Sequence, residues 1–193
     1  HIEDHTLRTY AAMIVALDRG VGKVLDELKA QGLDENTIVI FTSDNGGANY
    51  VGLPDINEPY RGWKATFFEG GIHVPFFMQW PSRIEAGTRS ERIAAHVDIF
   101  ATAAAAAGAA LPQARVYDGI DLMRYVDGAG VVDRPLFFRS GHSRTLIKGG
   151  WKLQVAERPE KAWLFHLAQD PTEQKNLAEK NPEKLGEMMA VLE

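Results

Sequence analysis

The chain has 193 residues, of which 45% are hydrophobic and 24% are charged, and its formal net charge is −5. These values are ordinary for a soluble globular protein of one or two domains. The acidic charge argues against nucleic-acid binding, which usually needs a basic surface. The absence of cysteine excludes disulfides and thiolate sites, and no apolar run reaches the length of a membrane span. Because the chain starts at His1 and not at Met, we expect it to be a piece of a longer protein.

The first predicted element is a long amphipathic helix. Its apolar residues recur at steps of three and four, which places them on one face. They are Tyr10, Met13, Ile14, Leu17, Val21, Val24, Leu25 and Leu28. Asp4 or Thr6 is expected to cap the start, and Gly32 lies where a left-handed residue commonly ends a helix.

The next stretch, residues 37–41, is an unbroken run of β-branched and aromatic side chains. Such a run predicts a strand buried on both faces, as in a parallel sheet. Asp44, Asn45, Gly46 and Gly47 follow it. Ligands of open α/β sheets bind beyond the carboxyl ends of strands, where carboxylate and amide oxygens suit Ca²⁺ or Mg²⁺. The alternative is that these residues form only a turn, which their types also favour.

A second strand and a second helix follow a polar loop at residues 48–58. Residues 76–80 predict another buried strand. The alanine-rich residues 99–110 predict a helix, because alanine is the best helix former. Asp98 is expected to cap this helix, and Gly108 lies near its end.

The last third of the chain predicts a small antiparallel sheet. Its short strand-like runs are residues 136–139, 145–148, 151–155 and 163–167. Gly149-Gly150 lies between two of them and predicts a two-residue hairpin. Residues 182–193 predict a terminal amphipathic helix. We therefore expect one unit at residues 1–128 and a second at residues 129–193.

Six blocks of the sequence occur in an order and spacing that are typical of one enzyme family. They are TIVIFTSDNGG, RGWKATFFEGGIHVPFFMQWP, HVDIFATAAAAAG, YDGIDL, GGWKL and LFHLAQDPTEQKNLA. This pattern resembles the C-terminal part of a type I sulfatase, of the arylsulfatase family and the alkaline-phosphatase-like superfamily. The resemblance implies an α/β fold: a mixed, mainly parallel sheet with flanking helices, plus a small antiparallel C-terminal subdomain.

The resemblance also implies roles for particular residues. Asp44 and Asn45 match the family's aspartate and asparagine that bind a divalent cation, usually Ca²⁺ and otherwise Mg²⁺. Lys64 matches the lysine that contacts the sulfate ester and stabilises the leaving oxygen. A compact charge with three donors suits that chemistry, although an ordinary solvated lysine is the alternative. Glu69-Gly70-Gly71 matches the turn that holds this lysine loop in place.

Further candidates are less central. Trp63 lies beside Lys64 and could stack on an aromatic leaving group. His142 lies in a loop before the predicted hairpin and is a candidate substrate contact at the pocket mouth. His73 stands where the family usually has Arg, and we expect a structural role for it. His96 is expected to cap the helix that follows.

The family's nucleophile motif does not occur in the chain. That nucleophile is a formylglycine made from Cys or Ser in a Cys/Ser-x-Pro-x-Arg motif. The nearest look-alike surrounds Pro81, but the residue two positions earlier is Gln79, which cannot become formylglycine. We therefore expect the formylglycine and the other metal carboxylates in an N-terminal part outside this chain, and we expect the chain alone to be inactive.

The predicted function is that of a fragment of a sulfuric ester hydrolase that acts on a small-molecule or saccharide sulfate ester. A phosphodiesterase or phosphonate hydrolase of the same superfamily is an alternative, although those enzymes usually lack an asparagine at the position of Asn45. A non-catalytic fragment or binding module that keeps only the fold is the other alternative. The resemblance favours a periplasmic or secreted location. The strand at residues 38–41 should need neighbours from the N-terminal part outside this chain, so we expect the isolated chain to self-associate or to be marginally stable.

Overall fold

The computed structural model describes residues 1–128 and 133–193. Its elements in chain order are α1 (His5–Ala30), β1 (Val39–Thr42), α2 (Glu69–Ile72), β2 (Phe76–Gln79), α3 (Val97–Ala106), α4 (Met123–Val126), β3 (Leu136–Ser140), β4 (Ser143–Lys148), β5 (Trp151–Glu157), β6 (Glu160–His166) and α5 (Pro182–Leu192). This mixture confirms the predicted α/β class. The predicted boundary between residues 128 and 129 borders on residues 129–132, which lie outside the described residues, and it stays a prediction.

The helix α1 is the predicted amphipathic helix, and both of its ends are defined by the residues that the sequence indicated. The side chain of Asp4 accepts a hydrogen bond from the Leu7 N–H at 2.7 Å. At the other end Gly32 has a φ of +65°, and its N–H donates to the Lys29 carbonyl at 3.0 Å. No residue of α1 is buried, and Met13 is 65% exposed. Among the described helices, none has the length and apolarity that a membrane crossing requires.

The strands β1 and β2 form a two-stranded antiparallel sheet, with Val39 opposite Gln79 and Thr42 opposite Phe76. The prediction that β1 is buried on both faces between parallel neighbours is not met within the described chain, where Phe41 is 39% exposed. The connection explains the direction of β2. A parallel pair needs a crossover that returns the chain to the starting end, usually a long helix. Residues 43–75 contain no helix longer than the four residues of α2, so β2 starts beside the end of β1.

The helix α3 is shorter than predicted, and its expected cap has another role. It ends before Gly108, whose φ of +65° leaves the helical region. The prediction that Asp98 caps the helix is wrong. Asp98 is fully buried, and its carboxylate accepts hydrogen bonds from the N–H groups of Ala95 (2.7 Å) and Ile120 (2.9 Å). Arg134 forms an ion pair with the same carboxylate. Asp98 therefore links three separate segments because it is buried and needs partners for its charge.

The second sheet is the predicted small antiparallel sheet, and its four strands lie in the order β3-β4-β5-β6. Gly149 and Gly150 form the hairpin between β4 and β5 with φ values of +57° and +77°, which a two-residue turn of this type requires. One face of this sheet packs on α5. Leu146, Leu153 and Leu164 are paired neighbours on that face, and each is 0% exposed.

The opposite face of the same sheet packs against the first part of the chain. Phe68 lies edge-on to Trp163 and Phe165, with ring centroids 5.7 and 6.2 Å apart. Phe67 packs near Phe138 at 6.1 Å. Successive strand residues point to opposite faces. Trp151 and Leu153 of β5 face the α5 core, so Lys152, which lies between them in the sequence, points to this opposite face. The second sheet thus touches the segment that follows Lys64.

Candidate active site

The segment after β1 carries the two oxygen-bearing side chains that the sequence indicated. Asp44 is exposed and Asn45 is half-buried. The Asn45 amide Nδ2 donates to the Asp44 Oδ2 at 2.6 Å, so the two side chains lie side by side beyond the carboxyl end of β1. The hydroxyl of Ser43 donates to the Asn45 carbonyl at 2.9 Å and stabilises this turn.

These two residues fit part of a hard-cation site. Their oxygen donors suit Ca²⁺ or Mg²⁺, but Ca²⁺ takes six to eight oxygen ligands in total. Within residues 1–128 and 133–193, no group of three or more His, Cys, Asp or Glu side chains is arranged to hold a metal. A cation at Asp44 and Asn45 therefore needs ligands beyond these two, and their metal-binding role stays a prediction.

The glycines after Asn45 allow α2 to approach the strand end closely. The Gly46 N–H donates to the Gly71 carbonyl at 3.0 Å. A Cβ atom at Gly46 would lie 1.8 Å from the Gly70 carbonyl oxygen, which no side chain tolerates. The sequence motif Asp-Asn-Gly-Gly is therefore more than a turn, because a backbone contact requires glycine at this position.

The loop that carries Lys64 is fastened to the same strand end. The Lys64 N–H donates to the Gly47 carbonyl at 3.0 Å. The Asn57 side chain accepts from the Gly47 N–H at 2.7 Å and donates to the carbonyls of Gly47 (2.9 Å) and Gly62 (3.1 Å). Asn57 thus clamps the two loops together. Sequence reasoning treated it only as a loop residue, since one asparagine in a polar loop gives no signal of its distant partners.

The structure therefore brings together four of the five candidate site residues. Lys64 and Trp63 are exposed and lie on the loop that is bonded to the Asp44 strand end. Within the described residues, His142 forms no hydrogen bond or ion pair with this group. His142 lies at the tip of the β3–β4 hairpin, where its Nδ1 is 3.5 Å from the Glu157 carboxylate. The predicted roles of Lys64, Trp63 and His142 stay predictions.

A buried cluster of charges lies behind the Lys64 loop. The Lys152 ammonium, which is fully buried, is 2.7 Å from a carboxylate oxygen of Glu69 and 2.8 Å from one of Glu173. Burial raises the pKa of Glu69, but the hydrogen bond with His73 and the charge of Lys152 outweigh it and hold that pKa below its ordinary value. Burial raises the pKa of Glu173, against the opposing charge of Lys152.

Two histidines have structural contacts near the site. His73 lies 2.7 Å from the second carboxylate oxygen of Glu69 and stacks on Tyr60, which agrees with the structural role expected for it. His96 was expected to cap α3, but its side chain makes no capping hydrogen bond. Its Nε2 lies 2.9 Å from the Ser43 carbonyl oxygen, so His96 supports the strand end directly before Asp44.

Comparisons with known proteins agree with the motif pattern. The sequence model of the Sulfatase family matches residues 2–109, which is more than half of the chain. The N-acetylgalactosamine-6-sulfatase of Canis lupus familiaris is 40% identical over 144 residues, which cover 73% of this chain and 27% of that protein. The N-acetylgalactosamine-6-O-sulfatase of Bacteroides thetaiotaomicron is 29% identical over 213 residues, which cover 97% of this chain and 42% of that protein.

Solved structures show the same fold. The structure described as Ps i-CgsB in complex with k-i-k-neocarrahexaose superposes with a TM-score of 0.88 at 30% identity, covering 97% of this chain and 42% of that one. The PsFucS1 sulfatase from Pseudoalteromonas sp. superposes with a TM-score of 0.76 at 26% identity, over 93% of this chain and 40% of that one. The chain therefore spans less than half of each of these relatives. Because the family model matches more than half of the chain and these relatives are similar to it, the chain belongs to the sulfatase family.

Proposed function

We propose that this chain is the part of a sulfuric ester hydrolase that helps to bind a cation and the sulfate group of a sulfated saccharide. The observation that carries the proposal is the set of hydrogen bonds that fasten the Lys64 loop to the Asp44 strand end. These bonds join the loop that carries the exposed Lys64 to the segment that carries Asp44 and Asn45. The coverage of relatives supports a longer parent protein, since this chain spans 27% and 42% of the two curated sulfatases.

The chemistry of ester cleavage explains why these residue types belong together. Negative charge grows on the leaving oxygen as the sulfate ester breaks, and a fixed ammonium donor stabilises it more in the transition state than in the ground state. In this proposal Lys64 supplies that donor. Asp44 and Asn45 hold the cation, which supplies a second fixed charge for the sulfate oxygens. Ca²⁺ is the favoured cation and Mg²⁺ the alternative, since both take oxygen ligands.

The nucleophile is proposed to be a formylglycine in a part of the parent protein outside this chain. No proline of the chain has Cys or Ser two positions before it, as the formylglycine motif requires. We therefore expect that the purified 193-residue chain does not hydrolyse sulfate esters. Release of sulfate by the chain itself, with contaminating enzymes excluded, would contradict this division of the active site.

A sulfated saccharide is the proposed substrate class. The support comes from relatives: two are named as sulfatases of N-acetylgalactosamine, and one solved relative is described in complex with a neocarrahexaose. The exposed indole of Trp63 lies next to Lys64 and offers a flat apolar surface to a sugar ring. A periplasmic or secreted location stays a prediction.

The experiment that tests the proposal is sulfate release by the full-length gene product that contains this chain. We expect Lys64→Ala to lower kcat by about 10²- to 10³-fold, the loss typical of one transition-state donor, while cation content stays unchanged. Lys180→Ala removes another exposed lysine far along the chain and should leave kcat unchanged. A Lys64→Ala enzyme that turns over at the wild-type rate would refute the role of Lys64.

The cation role is tested on the same protein by metal titration. Asp44→Ala should remove much of the cation affinity because the charged ligand is lost. Asn45→Ala should weaken it less, because a neutral oxygen contributes less to a hard cation. Equal affinity in the wild type and both variants would contradict the assignment of the cation to this strand end.

A further inference from the structure

The buried charges behind the Lys64 loop connect three segments that are far apart in the sequence. Lys152 lies on β5, Glu69 begins α2, and Glu173 follows β6. All three side chains are at least nine-tenths buried. The proposed chemistry of Asp44 and Lys64 does not use any of them directly.

The contacts hold the first residue of α2 from two sides. The Lys152 ammonium donates to the Glu69 side chain at 2.7 Å. The Glu69 main-chain N–H donates to the Glu173 carboxylate at 2.6 Å. The Glu173 carbonyl in turn accepts from the Arg61 guanidinium at 3.1 Å, and Arg61 precedes Lys64 on the same loop. Both the side chain and the backbone of Glu69 are therefore fixed by the second sheet and the segment after it.

From α2 the constraint passes to the candidate active site through short backbone contacts. The Gly70 N–H donates to the Arg61 carbonyl at 2.7 Å, and the Gly71 carbonyl accepts from the Gly46 N–H at 3.0 Å. We call these backbone contacts between α2, the Lys64 loop and the Asp44 strand end the stack. The stack is tightly packed, because a Cβ at Gly70 would come within 2.4 Å of the Gly62 carbonyl oxygen. A shift of α2 must therefore move the Asp44 strand end, the Lys64 loop, or both.

Stability alone is a weak reason for such a cluster. Desolvating a buried ion pair costs several kcal/mol, and apolar replacements of similar volume are often as stable. The two residues directly opposite Lys152 in the strand register are apolar, Ile147 on β4 and Phe165 on β6. What charge-assisted hydrogen bonds add is direction and a fixed distance. That is the property a catalytic loop needs, since misplacement by about 1 Å can cost about 100-fold in rate.

We propose that Lys152 and Glu173 are positioning residues, which fix α2 and through it set the separation of the Lys64 loop and the Asp44 strand end. The second sheet is on this view a support for the active site. The expected effect of Lys152 and Glu173 on catalysis depends on the proposed sulfatase function, whereas their expected effect on the position of the Lys64 loop does not.

The first test measures loop position without any activity. Amide hydrogen exchange of the 193-residue chain is followed at Gly46, Lys64 and Gly70, each of which donates a backbone hydrogen bond in this stack. In Lys152→Met, which removes the charge and leaves a side chain only one heavy atom shorter, these amides should exchange about tenfold faster or more, through local opening that is insensitive to added denaturant. Leu153→Ala is the matched control.

Leu153 is the next residue of β5 and equally buried, but its side chain belongs to the apolar core on the α5 face of the sheet. Leu153→Ala should lower the free energy of global unfolding. The amides of Gly46, Lys64 and Gly70 should then exchange only through unfolding of the whole molecule. Glu173→Gln is the second variant, should Lys152→Met fail to fold, because it keeps the size of the side chain and one acceptor. Folded Glu173→Gln with unchanged exchange at Gly46, Lys64 and Gly70 overturns the proposal.

The second test uses sulfate release by the full-length gene product. Lys152→Met should lower kcat by about 10- to 100-fold, the range for partners that orient active-site groups, and Leu153→Ala should not. Combining Lys152→Met with Glu69→Gln should cost little more than either change alone, because both act through α2. Additive losses, or an equal loss in Leu153→Ala, would overturn the positioning role. A wild-type protein that releases no sulfate refutes the proposed function instead, and hydrogen exchange then still decides the positioning role.

Discussion

The second sheet and the strand-end region, by which we mean α1, β1, β2 and the segment at Asp44, are stabilised in different ways. Leu146, Leu153 and Leu164 are 0% exposed and lie under α5, so the second sheet has an apolar core of its own. In the strand-end region, by contrast, Phe77 is 65% exposed, and α1 has no buried residue. What orders the Asp44 strand end is mainly backbone contact with α2 and the clamp of Asn57.

The difference teaches how one chain separates stability from function. Hydrophobic burial is non-directional and roughly proportional to area, so it stabilises the second sheet without defining any single distance. Hydrogen bonds and glycine contacts at the strand end define distances but bury little apolar surface. The cluster of Glu69, Lys152 and Glu173 is the link through which the stable region fixes the less stable one.

The largest expected effect concerns the state of association of the isolated chain. The exposed stripe of α1 is a long apolar surface, and such surfaces drive association in water. We expect sedimentation to show dimers or larger species whose fraction rises with concentration. Replacing Met13 and Leu17 by Glu should reduce that fraction, while Val116→Glu, at a position that is 94% exposed and off the helix, should not. A single monomeric species at every concentration would contradict this.

Truncations of equal size should separate the two regions by stability. Leu164→Ala removes a fully buried side chain and should lower the free energy of unfolding by about 2–5 kcal/mol. Leu17→Ala removes the same atoms from a position that is 51% exposed and should change it by less than about 0.5 kcal/mol. Urea unfolding of the chain in dilute solution measures both. Equal losses would show that the stripe of α1 is buried in solution.

Replacing a glycine by alanine should change the free energy of unfolding by a smaller amount, and with opposite signs at Gly46 and Gly20. Gly46→Ala places a Cβ against the Gly70 carbonyl, so backbone must move, at a cost of about 1–3 kcal/mol. At Gly20, in α1, an added Cβ meets nothing within 4 Å. Gly20→Ala should therefore stabilise the chain by up to about 1 kcal/mol, because alanine favours helix. Thermal unfolding of the two variants checks the signs, and a neutral Gly46→Ala would remove the argument for a close α2 contact.

The elements that the sequence predicted correctly depend on neighbours in the chain. The helix α1 follows from its periodic apolar residues, its Asp4 cap and Gly32. The β4–β5 hairpin follows from Gly149 and Gly150, which adopt the positive φ values that the turn needs. Their signals lie within a few residues, so one sequence suffices to recognise them.

The features that the sequence did not predict depend on partners far away. Lys152 and Glu69 are 83 positions apart, and the Glu69 N–H meets Glu173 at a separation of 104. No periodicity marks such pairs, and a buried lysine in a strand resembles an exposed one in a single sequence. The antiparallel direction of β2 was missed for a related reason, since an apolar run does not reveal the direction of its partner. Family motifs indicated Asp44, Asn45 and Lys64, but not Asn57.

The smallest expected effects are changes in the pH dependence of stability within the charge cluster. The pKa of Glu69 is lowered in the folded chain. A carboxylate of this kind contributes stability above its unfolded pKa, and the contribution is lost as pH falls through the lower folded pKa. The difference in unfolding free energy between wild type and Glu69→Gln should therefore shrink as the solution becomes acidic below about pH 4.5.

Glu173 should behave in the opposite way. Burial raises its folded pKa above the ordinary value of 4.5, so its contribution is fully present below the unfolded pKa and is lost as pH rises through the folded pKa. The advantage of wild type over Glu173→Gln should shrink as pH rises from about 4.5. Urea unfolding of both variants across this range tests the pair. If Glu69→Gln and Glu173→Gln gave parallel pH profiles, the two carboxylates would share one environment. Lys152 would then not hold Glu69 and Glu173 in the distinct states that their contacts indicate, and the link between the two regions would be weaker than its geometry suggests.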